Sequence, residues 1–146
     1  MLEYAIPALG LAMSTYLEDS QGQKQWLYTH LTSAIITQGL KKSIKKERPN
    51  GADFNSFPSG HATAAFSGAA FLHHRFGLAY GIPAYLGASY VAYSRVYADK
   101  HFSEDVIVGA FIGIGCAHYF TTRYKALKLI PKVSYKEVGV QLLIEL

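Results

Sequence analysis

The sequence predicts an all-α fold, a compact bundle of about five helices. Apolar residues recur with a helical period in five segments of helix length, and short polar or Gly/Pro-containing breaks separate these segments. Small residues repeat inside the segments, as from Ala62 to Ala70 and at Gly109 and Gly113, which favours close packing of one helix on another. At 146 residues the chain has the length of one domain, and we expect residues 1–146 to form a single one.

The five predicted helices cover residues 2–18, 24–46, 60–75, 79–95 and 103–126. Pro49 is expected to end the second helix, and Ser59 is a suitable N-cap residue for the third. After Pro131 the pattern is partly alternating, so residues 131–146 are expected to form a C-terminal tail with a short strand or no regular structure.

Hydrophobic residues make up 50% of the chain and charged residues 16%. Several uncharged segments are nevertheless shorter than the roughly 20 apolar residues that a straight transmembrane helix needs. The sequence therefore leaves open whether the bundle is embedded in a membrane, bound to its surface or soluble. If the helices span a membrane, the positive-inside rule places the side that carries the motifs described below in the periplasm or outside the cell. The opposite side carries Lys24, Arg75, Arg123, Lys125 and Lys128.

The net charge of +4 is unevenly distributed. Half of the 14 basic residues flank three short motifs, which indicates an anionic ligand. They are Lys41, Lys42, Lys45, Lys46, Arg48, Arg95 and Lys100. Such a patch also suits nucleic acid or lipid headgroups, and the run from 41 to 48 alone is typical of a solvated helix end.

The first motif pairs Lys41 with Arg48, seven residues later and directly before Pro49. If the helix persists, the two cations lie about two turns apart on one face and can bind phosphate oxygens together. The alternative is an ordinary basic helix C-terminus, which the helix dipole favours.

The second motif is Pro58-Ser59-Gly60-His61, in front of an alanine-rich helix. Free backbone N–H groups at such a helix start bind phosphate, and Gly60 lets an oxyanion approach the backbone. His61 can donate a proton to a leaving alkoxide. A plain helix cap is the competing interpretation.

The third motif combines Arg95 with His101 and Asp105. If the helix begins by about residue 101, His101 and Asp105 lie one turn apart, so Asp105 can accept one ring N–H of His101 and leave the other nitrogen free to attack phosphorus. Arg95 can bind the same phosphate with two N–H groups. A surface His–Asp pair is the alternative for this motif taken alone.

We expect no metal and no cofactor. His61 and His101 are far apart in sequence and no further cluster completes a coordination shell. Cys116 is the only cysteine, which argues against an internal disulfide and a cysteine metal site.

Together, Lys41-x6-Arg48-Pro49, Pro58-Ser59-Gly60-His61 and Ser94-Arg95-x5-His101-x3-Asp105 resemble the three signature motifs of the type 2 phosphatidic acid phosphatases. This family shares a superfamily with class A acid phosphatases, glucose-6-phosphatase and vanadium haloperoxidases. The three motifs occur complete and in order. Membrane members commonly have two spans before the first motif, whereas this chain has one such segment.

The resemblance implies a metal-independent phosphatase acting on a phosphomonoester or diphosphate. The expected partner is a phosphorylated lipid or another phosphoester, with association to a membrane and no nucleic acid. His101 would form a phosphohistidine, Asp105 would hold it, and His61 would protonate the leaving group. Lys41, Arg48, Ser59, Gly60 and Arg95 would bind the phosphoryl group. Two alternatives are a vanadium-dependent haloperoxidase and a non-catalytic helical phosphate-binding membrane protein. The sequence does not indicate which phosphoester is cut or the oligomeric state.

Overall fold

A computed structural model describes residues 2–124, 128–134 and 137–143. Its five helices confirm the predicted bundle. They are α1 (Leu2–Tyr16), α2 (Ser20–Ser43), α3 (Gly60–Phe76), α4 (Leu78–Tyr97) and α5 (Ser103–Phe120). The longest connection, residues 44–59, and the short connection between α4 and α5 lie at the same end of the bundle and carry the sequence motifs.

The second helix ends earlier than predicted, which changes how the first motif is built. The C-cap residue Ile44 has an extended backbone (φ −112°, ψ 95°), and Lys46 then pairs with Asn55 in an isolated β-bridge. The chain thus leaves the helix well before Pro49. The prediction that Lys41 and Arg48 share one helical face is wrong, because Lys41 lies on α2 and Arg48 in the loop.

The third helix is the centre of the bundle and contacts each of the other four helices. Small residues allow this close packing. A Cβ atom at Gly109 of α5 would lie 2.6 Å from the carbonyl oxygen of Ser59, and one at Gly68 of α3 would lie 2.6 Å from the backbone nitrogen of Pro7. Close backbone contact therefore fixes the start of α3 relative to α5 and the middle of α3 relative to α1.

A buried ion pair stabilises the opposite end of the bundle. Arg75 donates from Nε to Oδ2 of Asp19 at 2.7 Å and from Nη2 to Oδ1 at 2.5 Å. Asp19 also accepts from the backbone N–H of Gly22 at the start of α2. The charge of Arg75 is therefore compensated inside the bundle by Asp19.

After α5 the structure contains an antiparallel pair of strands, β1 (Lys128–Ser134) and β2 (Glu137–Leu143), with Lys128 opposite Leu143. The tail was expected to contain a short strand or no regular structure, and β1 begins three residues before Pro131. Residues 135, 136 and 144–146 of the predicted tail lie outside the described residues. Among the residues described, none of the helices combines the length and the apolar character needed to cross a membrane.

Candidate active site

His101 is buried and lines a cavity at the motif end of the bundle. Its Nδ1 lies 2.6 Å from the carbonyl oxygen of Ser56. A carbonyl can only accept, so Nδ1 carries the proton of the neutral ring and Nε2 keeps its lone pair. Burial is the main cause that lowers the pKa of His101, to about 4. The charges of Arg48 and Lys41 act in the same direction, whereas the hydrogen bond to Ser56 opposes them. The ring is therefore neutral at ordinary pH, with a free lone pair on Nε2.

Asp105 is fully buried and accepts three hydrogen bonds. The Ser56 hydroxyl donates to Oδ2 at 2.5 Å, the Phe102 backbone N–H to Oδ2 at 2.9 Å and Lys46 Nζ to Oδ1 at 2.7 Å. Burial alone would raise the pKa of Asp105, but these donors lower it below its ordinary value. The carboxylate therefore stays ionised.

The expected direct hydrogen bond between His101 and Asp105 is absent. Oδ2 of Asp105 lies 3.9 Å from Nδ1 of His101, which is too long for a hydrogen bond. The reason is local: α5 begins at Ser103, so His101 precedes the helix and the i, i+4 spacing does not cover one helical turn. Ser56 links the two residues, because its hydroxyl donates to Asp105 and its carbonyl oxygen accepts from His101.

Two cations of the first motif line the same cavity. Lys41 Nζ donates to the carbonyl oxygen of Asn55 at 2.7 Å, and burial together with the nearby Arg48 lowers its pKa. Arg48 donates from Nε to Asp53 at 2.7 Å. These contacts fix both side chains, although the two residues belong to different structural elements.

Arg95 lies near the end of α4, and its Nε is buried without a hydrogen-bond partner in the part of the chain that the structure describes. A buried guanidinium N–H without an acceptor is costly, so an anion is a favourable partner for it. Arg95 also contributes to the lowered pKa of His61, after burial, which is the larger cause. The two residues are therefore within electrostatic reach of each other.

Ser59 and Gly60 start α3 as predicted, but they face different surroundings. Ser59 is fully buried, and its hydroxyl accepts from the backbone N–H of Ala62 at 3.5 Å. This confirms Ser59 as the N-cap of α3. The hydroxyl is engaged in the cap, and Ser59 is not among the residues that line the cavity. Gly60 lines the cavity, and a Cβ there would approach no protein atom closer than 3.9 Å. The glycine keeps space open for a ligand rather than relieving a clash.

His61 lines the cavity beside Gly60. Its Nε2 lies 3.7 Å from a carboxylate oxygen of Glu3, and the side chain is 37% exposed. Burial, followed by Arg95, lowers the pKa of His61, and Glu3 opposes them. His61 thus lines the same cavity as His101, and its pKa lies on the acidic side of its ordinary value, which suits proton exchange with a bound anion.

The cavity has a volume of about 620 Å³ and joins a polar end to apolar walls. The polar end consists of the motif residues Lys41, Arg48, Gly60, His61 and His101. The wall from α1 is apolar or aromatic and consists of Tyr4, Pro7, Ala8 and Leu11. The wall from α2 is mixed, because Trp26 and Ala34 alternate there with His30, Ser33, Thr37 and Gln38. A ligand that fits this shape has an anionic head and an apolar body.

Sequence reasoning missed Ser56 and Lys46 as members of the site. Both lie in the irregular connection between α2 and α3, and both act on a residue about 50 or more positions later. Lys46 belongs to a run of basic residues in which no pattern distinguishes it, and Ser56 belongs to no motif. Within the described residues, no group of His, Cys, Asp and Glu side chains is arranged to hold a metal ion.

Residues 24–128 match the PAP2 superfamily. The chain belongs to this family. A lipid A 4'-phosphatase of Helicobacter pylori (strain J99) is 30% identical over 142 residues, which cover 88% of this chain and 72% of the relative. This level of similarity extends beyond the three motifs.

Two solved structures have the same fold. Aquifex aeolicus LpxE superposes with a TM-score of 0.69 at 27% identity, covering 80% of this chain and 81% of that one. A transmembrane PAP2-type phosphatidylglycerolphosphate phosphatase from Bacillus subtilis gives a TM-score of 0.63 at 28% identity, covering 80% and 65%. The comparisons confirm the predicted family and the predicted class, a phosphoric ester hydrolase acting on a lipid phosphate. They favour this function over the haloperoxidase and the non-catalytic alternative.

Proposed function

We propose that the chain hydrolyses the phosphomonoester of a membrane lipid through a phosphohistidine at His101. Nε2 of His101 attacks phosphorus, the N–P bond forms, and the ester P–O bond breaks. His61 gives its proton to the departing alkoxide. Water then attacks the phosphohistidine while His61 takes the water proton, the N–P bond breaks, and its electron pair returns to Nε2.

Phosphate binding is assigned to Lys41, Arg48, Arg95 and the backbone N–H of Gly60. Two observations support it. Lys41 and Arg48 line the cavity next to His101, and Arg95 has a buried N–H without a partner among the described residues. Fixed cations stabilise the charge that spreads over the phosphoryl oxygens in the transition state. Ser59 acts indirectly, because its hydroxyl caps α3 and so aims the first N–H groups of the helix.

The cavity is the observation that carries the proposal of a lipid substrate. The proposed nucleophile His101, the proposed acid His61 and the cations Lys41 and Arg48 line one cavity together with apolar residues of α1 and α2, whereas Arg95 is not among the lining residues. We propose lipid A, or a lipid phosphate of similar size, as the preferred substrate, since one relative is named a lipid A 4'-phosphatase. Phosphatidylglycerol phosphate is the second candidate, from the named activity of the Bacillus subtilis structure.

Exposed apolar side chains support membrane association. On α4 they follow one face of the helix, at Ile82, Leu86, Tyr90, Tyr93 and Tyr97, and each is at least 56% exposed. A continuous exposed apolar face of this kind suits contact with lipid. We further propose that the cavity opens on the periplasmic or outer side of the membrane, as the positive-inside argument predicts. Labelling a cysteine introduced beside the cavity in intact cells with a membrane-impermeant reagent tests this orientation.

The substrate is tested by assaying phosphate release with EDTA present. The panel contains lipid A, phosphatidylglycerol phosphate, phosphatidic acid, an isoprenyl diphosphate and an aryl phosphate. We expect hydrolysis of lipid phosphates without added metal and inhibition by vanadate, which mimics pentacoordinate phosphorus. His101→Ala should abolish turnover. His118→Asn, an exposed histidine on the last turn of α5, is the matched control. Strict dependence on a divalent metal, or full activity of His101→Ala, would refute the proposal.

A further inference from the structure

Lys46 lies in the connection between α2 and α3, and no step of the reaction above uses it. Its Nζ donates to Oδ1 of Asp105 and to Oε1 of Glu104, both at 2.7 Å, and lies 4.4 Å from the centre of the Phe102 ring. A cation near the N-terminus of a helix such as α5 is normally unfavourable. The carboxylates and the aromatic ring therefore determine where this ammonium group lies.

The backbone of Lys46 contacts the same site. Its carbonyl oxygen accepts the N–H of Ser56 at 3.0 Å. The Ser56 hydroxyl donates to Asp105, and the Ser56 carbonyl accepts from His101. Lys46, Ser56 and Asp105 thus form a closed hydrogen-bond network. His101 joins this network through its hydrogen bond to the Ser56 carbonyl oxygen. A shift of the Lys46 side chain moves Asp105 and Ser56 together.

The charge of Lys46 affects the protonation of Asp105 and of His101. Asp105 is fully buried, and burial raises its pKa unless donors oppose it; Lys46 is the first of the opposing groups. The titratable groups that interact with Asp105 are Lys46, Lys41, Glu104 and, at 3.9 Å, the ring of His101. Without Lys46, Asp105 takes up a proton more easily. While Asp105 stays ionised, its uncompensated charge also favours protonation of His101.

We infer that Lys46 is a positioning residue for the phosphatase reaction, one that holds Asp105 and Ser56 in the arrangement that orients His101. This inference rests on the proposed function. The bond from Lys46 to Glu104 is secondary, since the Glu104 side chain is 64% exposed and surface ion pairs contribute little. The bond to Asp105 is between a partly exposed ammonium and a fully buried carboxylate, so its loss affects the site.

The test measures kcat and KM across the acid range with the full chain and an aryl phosphate. For Lys46→Met we expect kcat to fall about 10- to 100-fold, the cost of a slightly misplaced nucleophile. KM should change little, because Lys46 does not line the cavity. Protonation of either Asp105 or His101 becomes easier, so the acid limb of the kcat profile should move up by about one pH unit. Lys46→Arg keeps the charge and should restore the position of the limb.

Two further variants serve as controls. Lys45→Met removes the same charge from an exposed neighbouring residue and should leave kcat and the acid limb unchanged. Glu104→Gln removes the second partner of Lys46 and should have a small effect. Thermal unfolding shows which variants are folded, and Lys46→Gln, which keeps a donor but no charge, replaces Lys46→Met if the latter does not fold.

An unmoved acid limb in a folded Lys46→Met or Lys46→Gln variant overturns the inference. So does a loss of activity that is uniform with pH, because it would indicate a purely structural role. If the unmodified chain hydrolyses no phosphoester, the proposed function fails and this inference fails with it. If the unmodified chain is active and the Lys46 variants keep its profile, the inference fails alone.

Discussion

Ser56 connects the carboxylate of Asp105 to the ring of His101 through two different groups of one residue. Its hydroxyl lies 2.5 Å from Oδ2 of Asp105, and its carbonyl oxygen lies 2.6 Å from Nδ1 of His101. The carboxylate itself is 3.9 Å from the ring. In the proposed mechanism, Asp105 orients His101 by holding Ser56 in place, and it would stabilise the positive ring of the phosphohistidine across a short gap.

Ser56→Ala tests this connection. The variant removes the hydroxyl but keeps the carbonyl that accepts from His101, so Asp105 loses one of its three donors. We expect kcat to fall about tenfold, in line with the loss of one hydrogen bond to a charged group. Asp105→Ala should lower kcat much further, because it removes the charge as well. Equal losses in the two variants would show that the hydroxyl carries the whole effect of the carboxylate, contrary to this expectation.

The pH dependence of kcat/KM follows from the two histidines. His101 must be neutral to attack, so activity falls as the pH drops through about 4. His61 must be protonated to act as an acid, so activity falls as the pH rises through its pKa, which lies below the ordinary 6.5. The optimum should therefore lie between these values. Steady-state kinetics with an aryl phosphate check this, and an optimum above pH 7 contradicts the assignment of His61.

The role of His61 as proton donor predicts a dependence on the leaving group. An alkoxide leaves only when it is protonated, whereas an aryl oxide with a low pKa leaves unaided. His61→Ala should thus lower kcat/KM for alkyl phosphates by about 10²- to 10⁴-fold. The loss for an activated aryl phosphate should be much smaller. Equal losses on the two kinds of ester would exclude proton donation and leave His61 a binding role.

Two glycines of α3 form a matched pair of substitutions. A Cβ at Gly60 would stay at least 3.9 Å from protein atoms and would extend into the cavity. Gly60→Ala should therefore keep its thermal stability and raise KM about tenfold, by crowding the bound phosphate. A Cβ at Gly68 would lie 2.6 Å from Pro7, so Gly68→Ala should lose about 1–3 kcal/mol of unfolding free energy. A destabilised Gly60→Ala with normal KM would reverse this assignment.

The sequence predicted the helices well because their apolar period and caps are local signals. The Ser59 cap and the gathering of Lys41, Arg48, His61 and His101 at one end follow from the order of helices and loops. The structure departs from the prediction where backbone groups of the irregular loop act. Ser56 binds His101 through a carbonyl, which every residue has, so no side-chain pattern marks it.

Helix ends were the second source of error. The i, i+4 argument for His101 and Asp105 and the seven-residue argument for Lys41 and Arg48 both assumed a helix that covers the two residues. In the structure α5 starts after His101 and α2 ends before Arg48. Residues of one motif still meet, because the loops bend back to the same end of the bundle. Such tertiary folding is set by packing on α3 and is not visible in local spacing.

Asp19→Ala separates the stability of the fold from the chemistry of the site. Arg75 and Asp19 are 2% and 6% exposed, and they form a bidentate pair at the end of the bundle away from the cavity. Removing the carboxylate leaves the buried guanidinium without its counter-charge, and it also removes the N-cap of α2. We expect a loss of about 3–5 kcal/mol in unfolding free energy, measured by denaturant titration in detergent. At temperatures where the variant stays folded, kcat and KM should match those of the unmodified chain. A specific loss of kcat in the folded variant would instead indicate that the two ends of the bundle are coupled through α3.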